Sequence, residues 1–88
     1  MTWRVRVSSK AESYYLRLDN ATRARVKKEL EVLSEFDNPA DHQDVKPLTG
    51  KLKGFYRLRV GKYRVIFSLL KETRTVAVVA IAPRGDVY

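Results

Sequence analysis

The apolar positions near the start of the chain recur with period two. Trp3, Val5 and Val7 alternate with Arg4 and Arg6. Because successive side chains of a strand point to opposite faces, this alternation is typical of a half-buried strand. We therefore predict a first strand over about residues 2–7.

The spacing then changes to that of helices. Ser9-Lys10-Ala11-Glu12 matches a capping box and predicts the start of a first helix. Asp19 and Asn20 interrupt it and are suited to cap a second helix, from about Ala21 to Phe36. Asp37-Asn38-Pro39 ends that helix. The apolar sides of the two helices are Ala11, Tyr14, Tyr15 and Leu18, and then Val26, Leu30, Leu33 and Phe36.

The second half of the chain predicts a β-hairpin. Two alternating runs, residues 55–60 and 63–67, flank the dipeptide Gly61-Lys62. A two-residue turn with glycine first favours type II′. That turn determines the register, which pairs Val60 with Tyr63, Arg59 with Arg64, and Leu58 with Val65.

This register separates apolar from cationic side chains. The first face carries Leu58, Val60, Tyr63, Val65 and Phe67, and the second carries Arg57, Arg59 and Arg64. Like charges directly opposite one another destabilise an antiparallel pair by up to ~1 kcal/mol. Such an arrangement is understandable if the arginines hold a polyanion.

The remaining pattern predicts the fold class. Residues 46–54 form a basic connector with two glycines, and residues 75–82 are β-branched and apolar, as in a central strand. The order is β-α-α-β-β-β, within one domain over residues 1–88. We predict an α+β fold in which a helix pair packs on one face of a small antiparallel sheet. The arginines then occupy the other face.

Charge strengthens this interpretation. The chain has 88 residues, a net charge of +8 and a pI near 10.1. Between Val45 and Lys71 there is no acidic residue, and the basic residues there are Lys46, Lys51, Lys53, Arg57, Arg59, Lys62, Arg64 and Lys71. A field of one sign favours nucleic acid or an acidic protein as partner. A solvated basic surface without a specific ligand is the alternative.

The chain lacks the residues and motifs that several classes of protein function require. The chain has no cysteine, and its single histidine, His42, is expected on the surface of a polar loop. P-loop, nucleophile-elbow and dinucleotide motifs are missing. We expect no metal and no cofactor. No run is apolar enough for a signal peptide or a membrane span, so the expected location is cytoplasmic, without membrane contact.

Arginine restricts the chemistry that this face can perform. A guanidinium stays protonated and is a poor general base, but it binds phosphate and stabilises negative charge in a transition state. Several arginines around one phosphodiester could promote attack by a ribose 2′-OH. Tyr56 and Tyr88 are candidates for stacking on a base, although core or edge packing is favoured for Tyr56.

Three segments, residues 46–50, 56–67 and 82–88, resemble the RelE/ParE toxin superfamily, and the tail over residues 84–88 is more similar to its RelE side. The resemblance implies a RelE-like, microbial-RNase-like fold. It also implies the toxin of a type II toxin–antitoxin system, a ribosome-dependent endoribonuclease that cleaves mRNA in the ribosomal A site. The implied partners are the ribosome, mRNA and a RelB-like antitoxin, acidic and partly disordered, in a hetero-oligomeric complex.

The same resemblance implies roles for single residues. Arg64 and Arg84 would stabilise the scissile phosphate and the transition state. Arg57 and Arg59 would bind phosphate or assist proton transfer, and Tyr88 would orient the RNA or stack on it. Apart from the resemblance, the field of positive charge predicts RNA binding by Lys46, Lys51, Lys53 and Lys62.

Two alternatives remain open at this point. The hairpin is also compatible with a ParE-like inhibitor of DNA gyrase, which binds protein and performs no catalysis. The lack of an ordinary general base is compatible with a catalytically silent basic module that binds RNA or an antitoxin.

Overall fold

Five strands and two helices build residues 2–83, the part of the chain that the computed structural model describes. The elements are β1 (Arg4–Val7), α1 (Ser9–Leu16), α2 (Asn20–Ser34), β2 (Val45–Pro47), β3 (Tyr56–Val60), β4 (Tyr63–Leu70) and β5 (Thr75–Pro83). Short 3₁₀ turns lie at Pro39–Asp41 and Gly50–Leu52. Within residues 2–83, neither helix is long and apolar enough to cross a membrane.

The strands form one sheet in the order β1-β5-β4-β3-β2. The predicted α+β class and the helix pair on one face are confirmed, but two details of the sheet differ. β1 runs parallel to β5, so the sheet is mixed rather than antiparallel. The predicted connector also overlaps β2, a three-residue edge strand. Its Pro47 lacks an N–H, which an edge tolerates and a central strand does not.

The core lies between the sheet and the helices. From α2 it receives the predicted stripe of Val26, Leu30 and Leu33. From β4 it receives Val65 and Phe67, both fully buried. The apolar side of the predicted hairpin is therefore the core side, and its arginine side faces away from the helices.

The hairpin forms as predicted. Gly61 has φ of +57°, as the first residue of a type II′ turn requires, and the three predicted cross-strand pairs are all present. Further along β4, Ile66 pairs with Ala80 but Phe67 pairs with Val78. Val79 is therefore an extra residue in β5, a β-bulge that bends this strand.

Side-chain caps begin both helices. The first cap is one residue earlier than predicted, since the hydroxyl of Ser8, and not that of Ser9, accepts the N–H of Ala11 at 3.1 Å. The second is Asp19, as predicted, which accepts the N–H of Thr22 at 3.1 Å and its hydroxyl at 2.6 Å. Both hydrogen bonds stabilise the charged carboxylate and hold the pKa of Asp19 below its ordinary value of 3.8. The bond from the Thr22 hydroxyl has the larger effect.

Asp19→Ala should lower the urea midpoint of unfolding at pH 7. The pKa of Asp19 is depressed in the folded state, so its contribution is complete above 3.8 and disappears as the pH falls through the lower folded value. Urea unfolding from pH 7 to pH 3 should show the two midpoints converging. The control is Asp37→Ala, which removes another exposed carboxylate. A difference between wild type and Asp19→Ala that persists undiminished at pH 3 contradicts the capping role.

Candidate nucleic-acid interface

The sheet face opposite the helices carries a cluster of cations, which we call the arginine face: Lys46, Arg57, Arg59 and Arg64. Lys46 on β2 pairs with Arg57 on β3, and Arg59 on β3 pairs with Arg64 on β4. Paired residues share a face, so three adjacent strands present these side chains on one side. The structure thus brings together Arg57, Arg59 and Arg64, as the hairpin register predicts.

Arg59 and Arg64 are the closest pair of this cluster in the sheet. The N–H of Arg59 donates to the carbonyl of Asp44 at 3.0 Å, away from β4. Arg59 and Arg64 therefore form a non-hydrogen-bonded pair, the type in which opposite side chains approach most closely, with Cβ atoms about 5 Å apart. Within residues 2–83 neither guanidinium forms a salt bridge or a side-chain hydrogen bond. Two adjacent positive charges thus lack a carboxylate from the described chain.

Arg57 is held in a defined position. Its Nη1 donates to the carbonyl oxygen of Asp44 at 3.2 Å, the same oxygen that accepts the N–H of Arg59. Arg57 is half-buried, whereas Arg59 is exposed. One oxygen of the loop before β2 therefore fixes both the side chain of Arg57 and the backbone of Arg59.

The positions beside the arginines on this sheet face carry apolar side chains. Ile66, the partner of Arg57, points to the arginine face yet is only 2% exposed. Ala80 and Ala82 on β5 pair with Ile66 and Arg64. The β5 positions next to Arg64 therefore carry small apolar side chains and no charge.

The four predicted RNA-binding lysines are all exposed and flank the arginines. Lys46 lies on β2. Lys51 and Lys53 lie in and after the turn that leads to β3, and Lys62 lies at the tip of the hairpin. Lys51 and Lys53 therefore lie at one end of β3 and Lys62 lies at the other. A five-residue strand such as β3 spans roughly 17 Å. They extend the positive field along a path longer than one nucleotide.

The structure adds three cations near the arginine face that the sequence pattern did not predict. β1 pairs with β5 in parallel, which places Arg4 and Arg6 on the arginine side of the sheet. Arg25 of α2 reaches the hairpin turn, since a Cβ at Gly61 would lie 3.0 Å from its Nη1. The alternation around Arg4 and Arg6 was visible in the sequence, but their sheet partner was not. The spacing of Arg25 places it only on the polar side of a helix.

The expectation of a surface histidine is wrong. His42 is 5% exposed, and its ring lies 5.2 Å from that of Phe36. Its Nδ1 accepts the N–H of Asp44 at 2.9 Å, and its Nε2 lies 3.7 Å from Glu29 Oε1. Asp41 and Asp44 made the loop look polar, but the loop folds back onto α2 and encloses the ring.

The described tyrosines pack as expected. Tyr56 stacks on Phe67 with ring centroids 5.6 Å apart, which confirms the packing role favoured for it. Tyr63 makes an edge contact with Tyr14 at 6.4 Å, on the core side. Arg84 and Tyr88 lie outside the described residues.

The side chains of the arginine face are suited to bind anions. Its four described members are all cations, and residues 2–83 contain no cluster of three or more potential metal-ligating His, Cys, Asp or Glu side chains. Guanidinium groups bind phosphate through paired N–H donors. Fold and surface together thus define a small basic α+β protein with a cluster of cations on the sheet face opposite the helices.

The sequence model of the ParE toxins of type II toxin–antitoxin systems (parDE) matches residues 5–88, and the chain belongs to this family. The resemblance to the RelE/ParE superfamily is confirmed, and the chain is a type II toxin of that superfamily. A comparison with curated proteins found no match.

Solved structures of toxins share the fold. The archaeal RelE in the RelE–RelB complex of Pyrococcus horikoshii superposes with a TM-score of 0.81 at 29% identity, covering 99% of this chain and 100% of that one. The E. coli RelBE complex gives 0.71 at 21%, with 96% and 99% coverage. A YoeB/ParE toxin from Agrobacterium tumefaciens gives 0.78 at 13%, with 92% and 98%.

Proposed function

We propose that this toxin is a ribosome-dependent endoribonuclease that cleaves mRNA in the ribosomal A site. The observation that carries the proposal is the pair Arg59 and Arg64, two adjacent cations without a carboxylate partner in the described chain. Such a pair is destabilising in the free protein and favourable once a phosphate lies between or above the guanidinium groups. The 29% identity to the archaeal RelE adds support from sequence.

The proposed reaction needs no external nucleophile. The ribose 2′-oxygen attacks the adjacent phosphorus, the bond from phosphorus to the 5′-oxygen breaks, and the products are a 2′,3′-cyclic phosphate and a 5′-hydroxyl. One proton leaves the 2′-oxygen and one reaches the 5′-oxygen. Negative charge accumulates on the non-bridging oxygens during the attack, and Arg64 and Arg59 are placed to stabilise it.

The remaining roles follow the family resemblance. Arg84 acts with Arg64 on the scissile phosphate, Arg57 binds phosphate beside them, and Tyr88 orients the RNA. The lysines around the arginine face bind the flanking backbone, as does Arg25 at the hairpin turn. The dependence on the ribosome fits an arginine face whose four described members are all cations, none of them an ordinary general base.

Primer extension on ribosome-bound mRNA tests this proposal. Wild-type toxin should produce a new 3′ end within the A-site codon, with a cyclic phosphate at that end, and no cut in the same mRNA without ribosomes. If the protein binds ribosomes but leaves the mRNA intact, the proposal is wrong. The catalytically silent basic module that binds RNA or an antitoxin is then favoured.

The family description favours a second candidate, a ParE-like inhibitor of DNA gyrase. Expression should then block supercoiling and induce DNA damage while protein synthesis continues. Supercoiling assays with purified gyrase and pulse labelling of protein synthesis distinguish the two functions. Arrested synthesis with intact DNA excludes the gyrase candidate.

We further propose that a RelB-like antitoxin neutralises the toxin in a hetero-oligomeric complex. The solved relatives from Pyrococcus horikoshii and E. coli are complexes with RelB. In this chain an apolar cleft of about 310 Å³ lies between the helices and the β1 side of the sheet. Its apolar lining is Val5, Val7, Tyr15, Leu30, Val78 and Ile81. An acidic, partly disordered partner can fill this cleft with apolar side chains and cover the arginine face with carboxylates.

Co-expression with the neighbouring open reading frame should yield a stable complex. Val7, which is 42% exposed at the cleft, provides the contact to disrupt. Val7→Glu should weaken the complex, because it places a charge where apolar surface is buried, while Val32→Glu outside the cleft should leave it intact. A complex that tolerates both substitutions equally contradicts docking at this cleft.

A further inference from the structure

His42 is a buried polar side chain that the proposed reaction does not use. It sits between α2 and the loop before β2, against the ring of Phe36 and near the carboxylate of Glu29. Its Nδ1 accepts a hydrogen bond, so this nitrogen carries no proton, and in the neutral ring the proton is on Nε2. The ring is thus oriented by a contact on each side.

The acceptor nitrogen of His42 fixes the residue that touches the arginine face. Nδ1 binds the N–H of Asp44 at 2.9 Å, and the carbonyl of His42 accepts the N–H of Val45 at 3.0 Å. The carbonyl of Asp44 in turn accepts Arg57 Nη1 at 3.2 Å and the N–H of Arg59 at 3.0 Å. A continuous set of hydrogen bonds therefore leads from His42 to the guanidinium of Arg57.

We propose that His42 is a positioning residue for Arg57: through Asp44 it holds the guanidinium in the orientation that binds a phosphate of the RNA. This inference rests on the proposed function for its consequence, although the hydrogen bonds exist without RNA. Arginine carries several rotatable bonds, and ordering such a side chain on binding is costly. A guanidinium that is already anchored at one nitrogen loses less freedom when phosphate arrives.

A matched pair of variants isolates the acceptor. His42→Leu and His42→Asn both remove the ring and are nearly the same size, but the amide oxygen of Asn can occupy the place of Nδ1. Loss of one buried hydrogen bond corresponds to about a tenfold effect. We expect A-site cleavage to fall about 10-fold in His42→Leu and to recover to within about 3-fold of wild type in His42→Asn.

A double-mutant cycle shows whether the effect passes through Arg57. In an Arg57→Ala background, His42→Leu should change cleavage by less than about 2-fold, because the group that His42 positions is gone. Binding of a non-cleavable 2′-O-methyl RNA to the toxin–ribosome complex provides the same comparison without chemistry. Equal losses in both backgrounds show a merely structural role and overturn the proposal.

A spectroscopic measurement keeps the test independent of RNA. In wild type, the Arg57 Nε–Hε group should have a higher heteronuclear NOE than that of the exposed Arg17. His42→Leu should lower the Arg57 value towards that of Arg17, and His42→Asn should preserve it. If His42→Leu does not fold, a wild-type Arg57 as mobile as Arg17 still overturns the inference. The two proposals can fail separately. If wild type neither binds nor cleaves RNA, the proposed function is wrong. If Arg57 is nevertheless ordered in wild type and becomes more mobile in His42→Leu, the positioning role still holds.

Discussion

Arg64→Ala should lower A-site mRNA cleavage by about 10²- to 10³-fold, the usual effect of removing one preorganised donor from a developing negative charge. Arg64 lies on β4 directly opposite Arg59, beside the small side chains of Ala80 and Ala82. Its guanidinium is half-buried and adjoins that of Arg59, so it can act together with Arg59 on one phosphodiester. Ribosome binding, which depends on many cations, should fall by far less than the cleavage rate.

The same substitution should leave the fold at least as stable. Arg64 and Arg59 repel each other across a non-hydrogen-bonded pair, and separating them relieves up to ~1 kcal/mol. Loss of activity with retained or increased stability is the mark of a residue kept for function. Urea unfolding of wild type and Arg64→Ala, run beside the primer-extension assay, measures both quantities on the same preparations.

Two controls separate charge from geometry. Arg64→Lys keeps the charge and most of the aliphatic stem but loses the planar pair of donors, so its rate should lie between those of wild type and Arg64→Ala. Arg17→Ala removes an exposed positive charge at the end of α1, in the helix layer, and should cleave like wild type. An Arg64→Ala toxin that cleaves within 3-fold of wild type excludes Arg64 from the site.

The hairpin could be predicted because its information is local. Gly61-Lys62 determines the turn, the turn determines the register, and the alternation assigns each side chain to a face. Nothing in that derivation depends on residues outside the range 55–67. The three arginines of the arginine face therefore follow from the sequence almost unaided, whereas Lys46 joins them only through the unpredicted strand β2.

The parts that could not be predicted depend on contacts between distant segments. The alternation of β1 predicts a strand, but not that its partner is β5, about seventy residues later, or that the pair is parallel. For the same reason Arg4 and Arg6 could not be assigned to the arginine side of the sheet. Arg25 reaches the hairpin only because α2 crosses the sheet near Gly61.

His42 shows how composition misleads at short range. Its neighbours in sequence are polar, and a polar loop predicts exposure. The ring is buried because Phe36 and Glu29, both earlier in the chain, enclose it. The buried imidazole orients Asp44 by accepting its N–H, and the neighbouring residues in the sequence do not predict this contact.

Phe67→Ala should lower the free energy of unfolding by about 3–5 kcal/mol, the usual range for removing a buried phenylalanine ring. Phe67 is fully buried in β4, stacks on Tyr56, and pairs with Val78 next to the bulge in β5. Domains of this size are stable by only about 5–15 kcal/mol, so the loss is a large share of the total. Urea unfolding followed by far-UV circular dichroism gives the value, with Leu70→Ala, 49% exposed on the same strand, as control. A loss below about 1 kcal/mol contradicts the burial of the ring.

Phe67→Ala and Arg64→Ala should differ in how activity is lost, although both residues lie on β4. Phe67 points to the core and Arg64 to the opposite face, so the missing ring reduces the fraction of folded toxin and leaves the guanidinium groups of the folded fraction in place. Cleavage per folded molecule should then stay within about 3-fold of wild type, and an added antitoxin, which binds the folded state, should raise the folded fraction. Arg64→Ala should show the reverse, a full population of folded toxin with little cleavage. If Phe67→Ala lowers cleavage per folded molecule as strongly as Arg64→Ala does, then the core side of β4 contributes to the geometry of the arginine face and the two faces are not independent.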